Sequence, residues 1–168
     1  MSVADVTALF PALSISSESD EKTFIKTLVK DANFIDFANE YPYLNDPDTI
    51  AFIKESKVMF INRGLPGSGK STLTKKIKEL YGPESTLVCS ADDFFTDKDG
   101  NYNWNGDQLG EAHFTCHTKT ENGCMSSMTP IVIDNTNVKF FEVKRYLDLA
   151  NKYNYVLFFY SFKGEISF

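Results

Sequence analysis

Gly64, Gly69, Lys70 and Ser71 stand in the spacing Gly-x4-Gly-Lys-Ser, inside the stretch KVMFINRGLPGSGKST at residues 57–72. This is a complete P-loop pattern, and each residue type serves an anionic phosphate chain. The glycines let backbone N–H groups approach and wrap the phosphates. A helix beginning behind the loop adds roughly half a positive charge at its N-terminus. Lys70 can reach the outer phosphates, and the Ser71 hydroxyl can ligate Mg²⁺. The residues expected to contact a nucleoside triphosphate are therefore Gly64, Leu65, Pro66, Gly67, Ser68, Gly69, Lys70, Ser71 and Thr72.

Phosphoryl transfer would need more than this loop: a metal environment, a base for the acceptor, and positive charge on the transferring group. Two carboxylates are candidates. Asp92 follows a predicted strand at 86–90 and so points to the loop's edge of a parallel sheet, where it can take a proton from an acceptor hydroxyl. Capping of the following turn is the alternative role. Asp93 beside it is expected to point elsewhere. Asp134 ends the apolar run Ile131-Val132-Ile133. A strand there, next to the loop strand, would bring an acid near the metal, with helix capping again the alternative. Lys70 and Asp92 are thus the candidate catalytic residues, and Ser71 and Asp134 the candidate metal ligands.

Other clusters carry less. The acidic turn at 96–106 invites a calcium-loop reading, but a start at Asp97 needs Gly at 102 and Glu at 108, where Tyr102 and Gln108 stand. His113 and His117 are one helical turn apart without a third ligand pattern. His113-Phe114-Thr115-Cys116 matches the H-x-T-x signature of two-histidine phosphoesterases. That chemistry needs two such motifs facing each other, and His117-Thr118-Lys119 does not supply the second.

The elements that would position these groups follow from periodicity. Val58 to Ile61 is a short apolar run of the buried-strand type, and Leu73, Ile77 and Leu80 repeat at helical spacing behind the loop. A helix is predicted over 21–38, stopped by Tyr41-Pro42-Tyr43. Asp46 and Pro47 start another that runs to about Ser56. After Gly82-Pro83 come a strand at 86–90 and one helix from Asp107 to about Ser127, weakened at Asn122-Gly123. The strand 131–134, a helix from Val138 and a strand at 156–160 complete the alternation. Alternating strands and helices imply a parallel sheet with nucleotide at its C-terminal edge.

The composition sets bounds. A length of 168 residues suffices for one cored domain, and 42% hydrophobic with 24% charged residues are globular values. Fifteen Phe and eight Tyr predict an aromatic core. The net charge of −6 gives no global basic footprint for a long polyanion. Three cysteines without a CxxC pair, no membrane-spanning run and no basic signal-peptide region point to the cytoplasm.

RGLPGSGKST, then SADDFF, then IVIDNTN with Glu142 shortly after, resembles the polynucleotide-kinase-like P-loop family. Two branches match best. Residues 41–46 through 61–64 resemble the segment entering the loop in 2',3'-cyclic-nucleotide 3'-phosphodiesterase, or CNPase. Asp92-Asp93-Phe94-Phe95, Asp99-Gly100-x-Tyr102, Glu111-Ala112-His113 and Asp134-Asn135-Thr136-Asn137 resemble the P-loop proteins related to Nedd-four-binding protein two. The resemblance covers roughly residues 41–160. It implies an α/β P-loop NTPase fold, three layers with a parallel sheet, with ATP at Gly64–Thr72. In the active kinases of the family the γ-phosphate passes to a 5'-hydroxyl of RNA or DNA, and the family's base falls on Asp92.

This gives a flexible lead at 1–19, a helical extension at 20–56, the P-loop domain at 57–160 and a short atypical tail at 161–168. The family's lid arginines have no counterpart in that tail, so the expected fold is C-terminally incomplete. CNPase's phosphodiesterase domain, with its two H-x-T-x motifs, has no counterpart here either, so cyclic-phosphate hydrolysis is not carried over. Two functions follow: an ATP-dependent polynucleotide 5'-hydroxyl kinase, or a non-catalytic nucleotide-binding module.

Overall fold

The computed structural model describes residues 34–36 and 41–161, the first three and Ser161 as backbone only. The expected lead at 1–19, most of the helix expected over 21–38 and the tail after Ser161 lie outside the described residues. In chain order the elements are β1 (Phe34–Asp36), α1 (Pro42–Asn45), α2 (Pro47–Glu55), β2 (Val58–Arg63), α3 (Lys70–Tyr81), β3 (Leu87–Cys89), α4 (Leu109–Met125), β4 (Ile131–Asp134), α5 (Phe140–Tyr153) and β5 (Val156–Ser161). Two 3₁₀ turns, Asp92–Phe95 and Gly106–Gln108, lie between β3 and α4.

The strands form one sheet in the order β1-β5-β2-β4-β3, and every pairing is parallel. Parallel strands need crossovers, which the helices provide, so the sheet is covered on both faces. Alternation along β2 sorts the core. Met59 and Ile61 face one side with Ile131, Ile133, Leu157 and Phe159, packed under α4 and α5 through Ala112, Cys116, Tyr146 and Leu147. Val58 and Phe60 face the other with Val132 and Phe158, packed under Tyr43, Ile53, Leu73 and Ile77 from α1, α2 and α3. The expected three-layer α/β fold is therefore present. The predicted aromatic packing centres on Phe60, whose ring lies 5.3 Å from Phe158 edge to face and 5.2 Å from Tyr43.

Several boundaries match local chemistry. Asp46 accepts from Thr49 N–H at 2.8 Å and from the Thr49 hydroxyl at 2.6 Å, and Pro47 opens α2. α4 runs unbroken through Asn122-Gly123 because Gly123 packs on β3. A Cβ there would stand 2.2 Å from Leu87 Cδ2. One expectation fails. Phe34–Asp36, placed in a helix by periodicity, forms the edge strand β1 in register with Leu157, Phe158 and Phe159. Long-range pairing with β5 overrides the local pattern there. Among the described residues the sheet thus has five strands where four were expected. Pro42 opens the single turn of α1, and the residues just before Tyr41, where the preceding helix was expected to end, lie outside the described residues.

Cys89, Cys116 and Cys124 are buried and form no disulfide. Burial pushes the Cys89 thiol up to about 12 and Cys124 up to about 11, and raises Cys116 as well. Raised thiols hold little reactive thiolate at mildly alkaline pH. Ellman's reagent should therefore label the native chain slowly and all three cysteines at once in concentrated guanidinium. Rapid labelling of the native chain would contradict this packing.

Candidate functional site

β2 delivers the chain into the loop, and α3 begins at Lys70. The turn between them needs glycine where φ is positive: Gly67 at 77° and Gly69, the N-cap of α3, at 100°. No side chain caps α3, and its first backbone bond runs from Leu73 N–H to Gly69 O at 3.1 Å. The N–H groups of Lys70, Ser71 and Thr72 thus have no acceptor within the helix. Lys70 folds back over the loop and donates from Nζ to Leu65 O at 2.7 Å. It is 8% exposed. Burial lowers its pKa, while the charges of Asp134 and then Asp92 act in the opposite sense. Lys70 therefore lies within electrostatic reach of both carboxylates.

Asp134 lies opposite Asn62 in the β2–β4 register, which puts it at the mouth of the loop. Burial raises its pKa. The neighbouring hydroxyls of Ser71 and Thr74 and the charge of Lys70 act the other way, and Asp92 adds to the rise. Its Oδ1 is buried and has no hydrogen-bond partner among the described residues. α5 is not capped by Asp134; Lys139 N–H at its start donates to Glu142 Oε2 at 3.0 Å. An orphaned carboxylate oxygen beside the Ser71 hydroxyl suits a hard divalent cation such as Mg²⁺, which takes one or two protein ligands together with phosphate oxygens.

Asp92 is exposed at the start of the first 3₁₀ turn, and its side chain does not cap that turn. Its Oδ1 instead accepts from the Tyr102 hydroxyl at 3.3 Å. Asp93 points away, paired with Lys119 at 2.9 Å on α4. The Asp97 carboxylate is committed to its own turn: Oδ1 accepts from Asp99 N–H and Asn101 N–H, both at 2.9 Å, and Oδ2 from Asn101 Nδ2 at 3.0 Å. His113 and His117 are half-buried on α4, away from the loop, and His117 packs near the Tyr146 ring.

Sequence reasoning missed the residues that hold this edge together. Asn135, 8% exposed, accepts from Ala91 N–H at 2.8 Å and donates to the Tyr146 hydroxyl at 3.2 Å. It ties the turn bearing Asp92 to β4 and α5. Asn137, at φ 48°, donates from Nδ2 to Asn62 O at 2.7 Å. Gly64 N–H donates to Thr136 O at 2.9 Å, and the Ser90 hydroxyl to Asp134 O at 3.0 Å. Asn62 Nδ2 reaches the Thr74 hydroxyl at 2.9 Å. The only hint in the sequence was the run Asn135-Thr136-Asn137, whose side chains favour turns.

A glycine loop between strand and helix, a buried lysine and a carboxylate on the adjacent parallel strand define a P-loop nucleotide-binding domain of the kinase-like type. The chain belongs to the AAA domain family, whose model matches residues 59–161. It is 37% identical to human (Homo sapiens) NEDD4-binding protein 2 over 102 residues, 61% of this chain and 6% of that protein. It is 33% identical to the 2',3'-cyclic-nucleotide 3'-phosphodiesterase of Mus musculus over 116 residues, 69% of this chain and 26% of that protein. The enzyme of the same name from Pongo abelii is 51% identical over 53 residues, 32% of this chain and 12% of that protein. The matched segment is thus a small part of each relative's length. Among the described residues no helix is long and apolar enough to cross a membrane.

Truncating Asn135 would leave the buried Ala91 N–H without its acceptor, at a cost of about 1–3 kcal/mol. Urea unfolding of Asn135→Ala should show that loss. A change of only a few tenths would mean that this bond does not hold the Asp92 turn.

Proposed function

We propose that the chain binds Mg²⁺-ATP at Gly64–Thr72 and transfers the γ-phosphate to a 5'-hydroxyl at the end of a nucleic acid. The observation that supports this most is the glycine loop between β2 and α3, with Lys70 folded back over it and Asp134 beside it at the end of the adjacent parallel strand. The free N–H groups at the start of α3 and the glycine loop would hold the phosphates. Ser71 and Asp134 would hold Mg²⁺, which when bound offsets charge on the transferring phosphoryl group. Lys70 would leave Leu65 O for phosphate oxygens. Asp92, exposed to an incoming acceptor, takes the hydroxyl proton as the acceptor oxygen bonds to phosphorus and the bridging oxygen departs with ADP. Three cysteines outside any disulfide suit a reducing compartment, and we place the protein in the cytoplasm.

A second reading is a nucleotide-binding module without transfer. It is favoured by the acidic surface around Asp92, where Asp93, Asp97, Asp99 and Asp107 are all exposed. Like charges there would repel a polyanion in a salt-dependent way.

Transfer of labelled γ-phosphate from ATP to a 5'-hydroxyl RNA oligonucleotide separates the two. Asp92→Asn should lower transfer about 10²–10⁴-fold with ATP affinity unchanged. Lys70→Ala should weaken ATP binding about 10–100-fold, the worth of a charged hydrogen bond, with the fold intact. Transfer that survives Asp92→Asn would remove Asp92 as the base. Tight ATP binding without any transfer would establish the second reading.

A further inference from the structure

The first turns of α5 present a surface that the chemistry above does not use. Val138, Phe140 and Phe141 are 41%, 37% and 61% exposed. The core face of the helix is Val143, Tyr146, Leu147 and Ala150, so packing does not account for Phe141. Lys139 Nζ lies 5.8 Å from the centre of the Phe141 ring, a cation–π contact. Arg145 follows Phe141 by four residues, one turn on along the same exposed face. Among the described residues neither Lys139 nor Arg145 is held in an ion pair, whereas Lys144 is paired with Asp148. Glu142, the carboxylate between them, is half-buried and accepts from Lys139 N–H.

Position gives this surface its context. β3 and β4 are neighbours, so the turn bearing Asp92 and the turn leading into α5 lie side by side at one sheet edge. Asn135 and Ser90 tie the two turns, through Ala91 N–H at 2.8 Å and Asp134 O at 3.0 Å. The two turns differ in charge. Residues 92–107 carry Asp92, Asp93, Asp97, Asp99 and Asp107 against Lys98, while residues 138–145 carry Lys139, Lys144 and Arg145 against Glu142. A polyanion approaching Asp92 is repelled over the first and attracted over the second.

We infer that this face of α5 binds a single strand of nucleic acid, with an unpaired base on Phe141 and phosphates beside Lys139 and Arg145. An exposed aromatic ring stacks on any unpaired base, and interleaved cations track the backbone. The inference rests on the nucleic-acid acceptor of the proposed function. It adds the surface that holds the strand beyond the nucleotide whose 5'-hydroxyl meets Asp92. An anionic membrane is the other partner that suits phenylalanines beside cations. The acceptor carboxylate on the neighbouring turn favours the strand.

Fluorescence anisotropy with a labelled 5'-hydroxyl single-stranded RNA of about eight nucleotides, read without ATP, tests it. Phe141→Ala should weaken binding about tenfold, and Phe141→Trp, which keeps a stacking ring, should not. Arg145→Ala should weaken binding and lower the slope of log affinity against log salt by about 0.7, the worth of one phosphate contact on a single strand. ATP affinity should be the same in wild type and all three variants. Equal RNA affinity in wild type, Phe141→Ala and Arg145→Ala would overturn the inference. So would a wild-type chain that binds no RNA, or one that binds phosphatidylserine vesicles through Phe141 in its place. The readout is independent of transfer. Strand binding that depends on Phe141 and Arg145, without γ-phosphate transfer, would keep this surface and remove the kinase reading. Transfer to the same RNA with KM unchanged in both Ala variants would do the reverse.

Discussion

The end of β2 is gripped by the turn that follows β4. Gly64 N–H bonds to Thr136 O, Asn137 Nδ2 to Asn62 O, and the Arg63 guanidinium reaches Val138 O at 3.5 Å. These contacts join residues more than seventy positions apart in the chain. They fix where the loop leaves the sheet, and the parallel register then fixes Asp134 beside it. Loosening this junction would move Lys70, Ser71 and Asp134 relative to one another, and a site that works by electrostatics tolerates little displacement. The buried amides at Asn62, Asn135 and Asn137 are expensive in an apolar interior unless paired. Here they are what aligns the two strand ends.

The same edge sets three groups in different states of solvation. Lys70 is buried and its charge is opposed by desolvation. Asp134 is partly buried with its pKa raised, and Asp92 is open to solvent. A lysine and a carboxylate that are both costly to keep charged favour ligands that replace water, such as phosphate oxygens and a divalent cation. An exposed carboxylate nearby can meet a second substrate. Position along the sheet edge, more than residue type, therefore separates Asp92 from Asp134, and Asp93 from both.

Much of this was legible in the chain. The loop could be placed because Gly-x4-Gly-Lys-Ser sits between an apolar run and a helical repeat, so pattern and context agree. Asp46-Pro47 carried its own helix start, and Ile131–Asp134 read as a strand because a fully buried parallel strand is a continuous apolar run. Phe34–Asp36 did not read as a strand: three residues carry no usable period, and the pairing with β5 bridges more than 120 positions. The roles of Asn135 and Asn137 were hidden for the same reason, since their partners Ala91 and Asn62 lie 44 and 75 positions away. Tyr41 read as a helix breaker, and its stacking on Tyr160 spans 119 positions.

Amide hydrogen exchange across residues 64–72, with and without Mg²⁺-ATP, tests the central claim most directly. The account predicts protection of the backbone N–H groups from Gly67 to Thr72 when nucleotide is bound, because these groups would then donate to phosphate oxygens. It predicts that Lys70→Ala largely abolishes that protection at the same ATP concentration. Exchange in this segment that is unchanged by Mg²⁺-ATP, under conditions where ATP binding is measured independently, would place the nucleotide elsewhere and contradict the account.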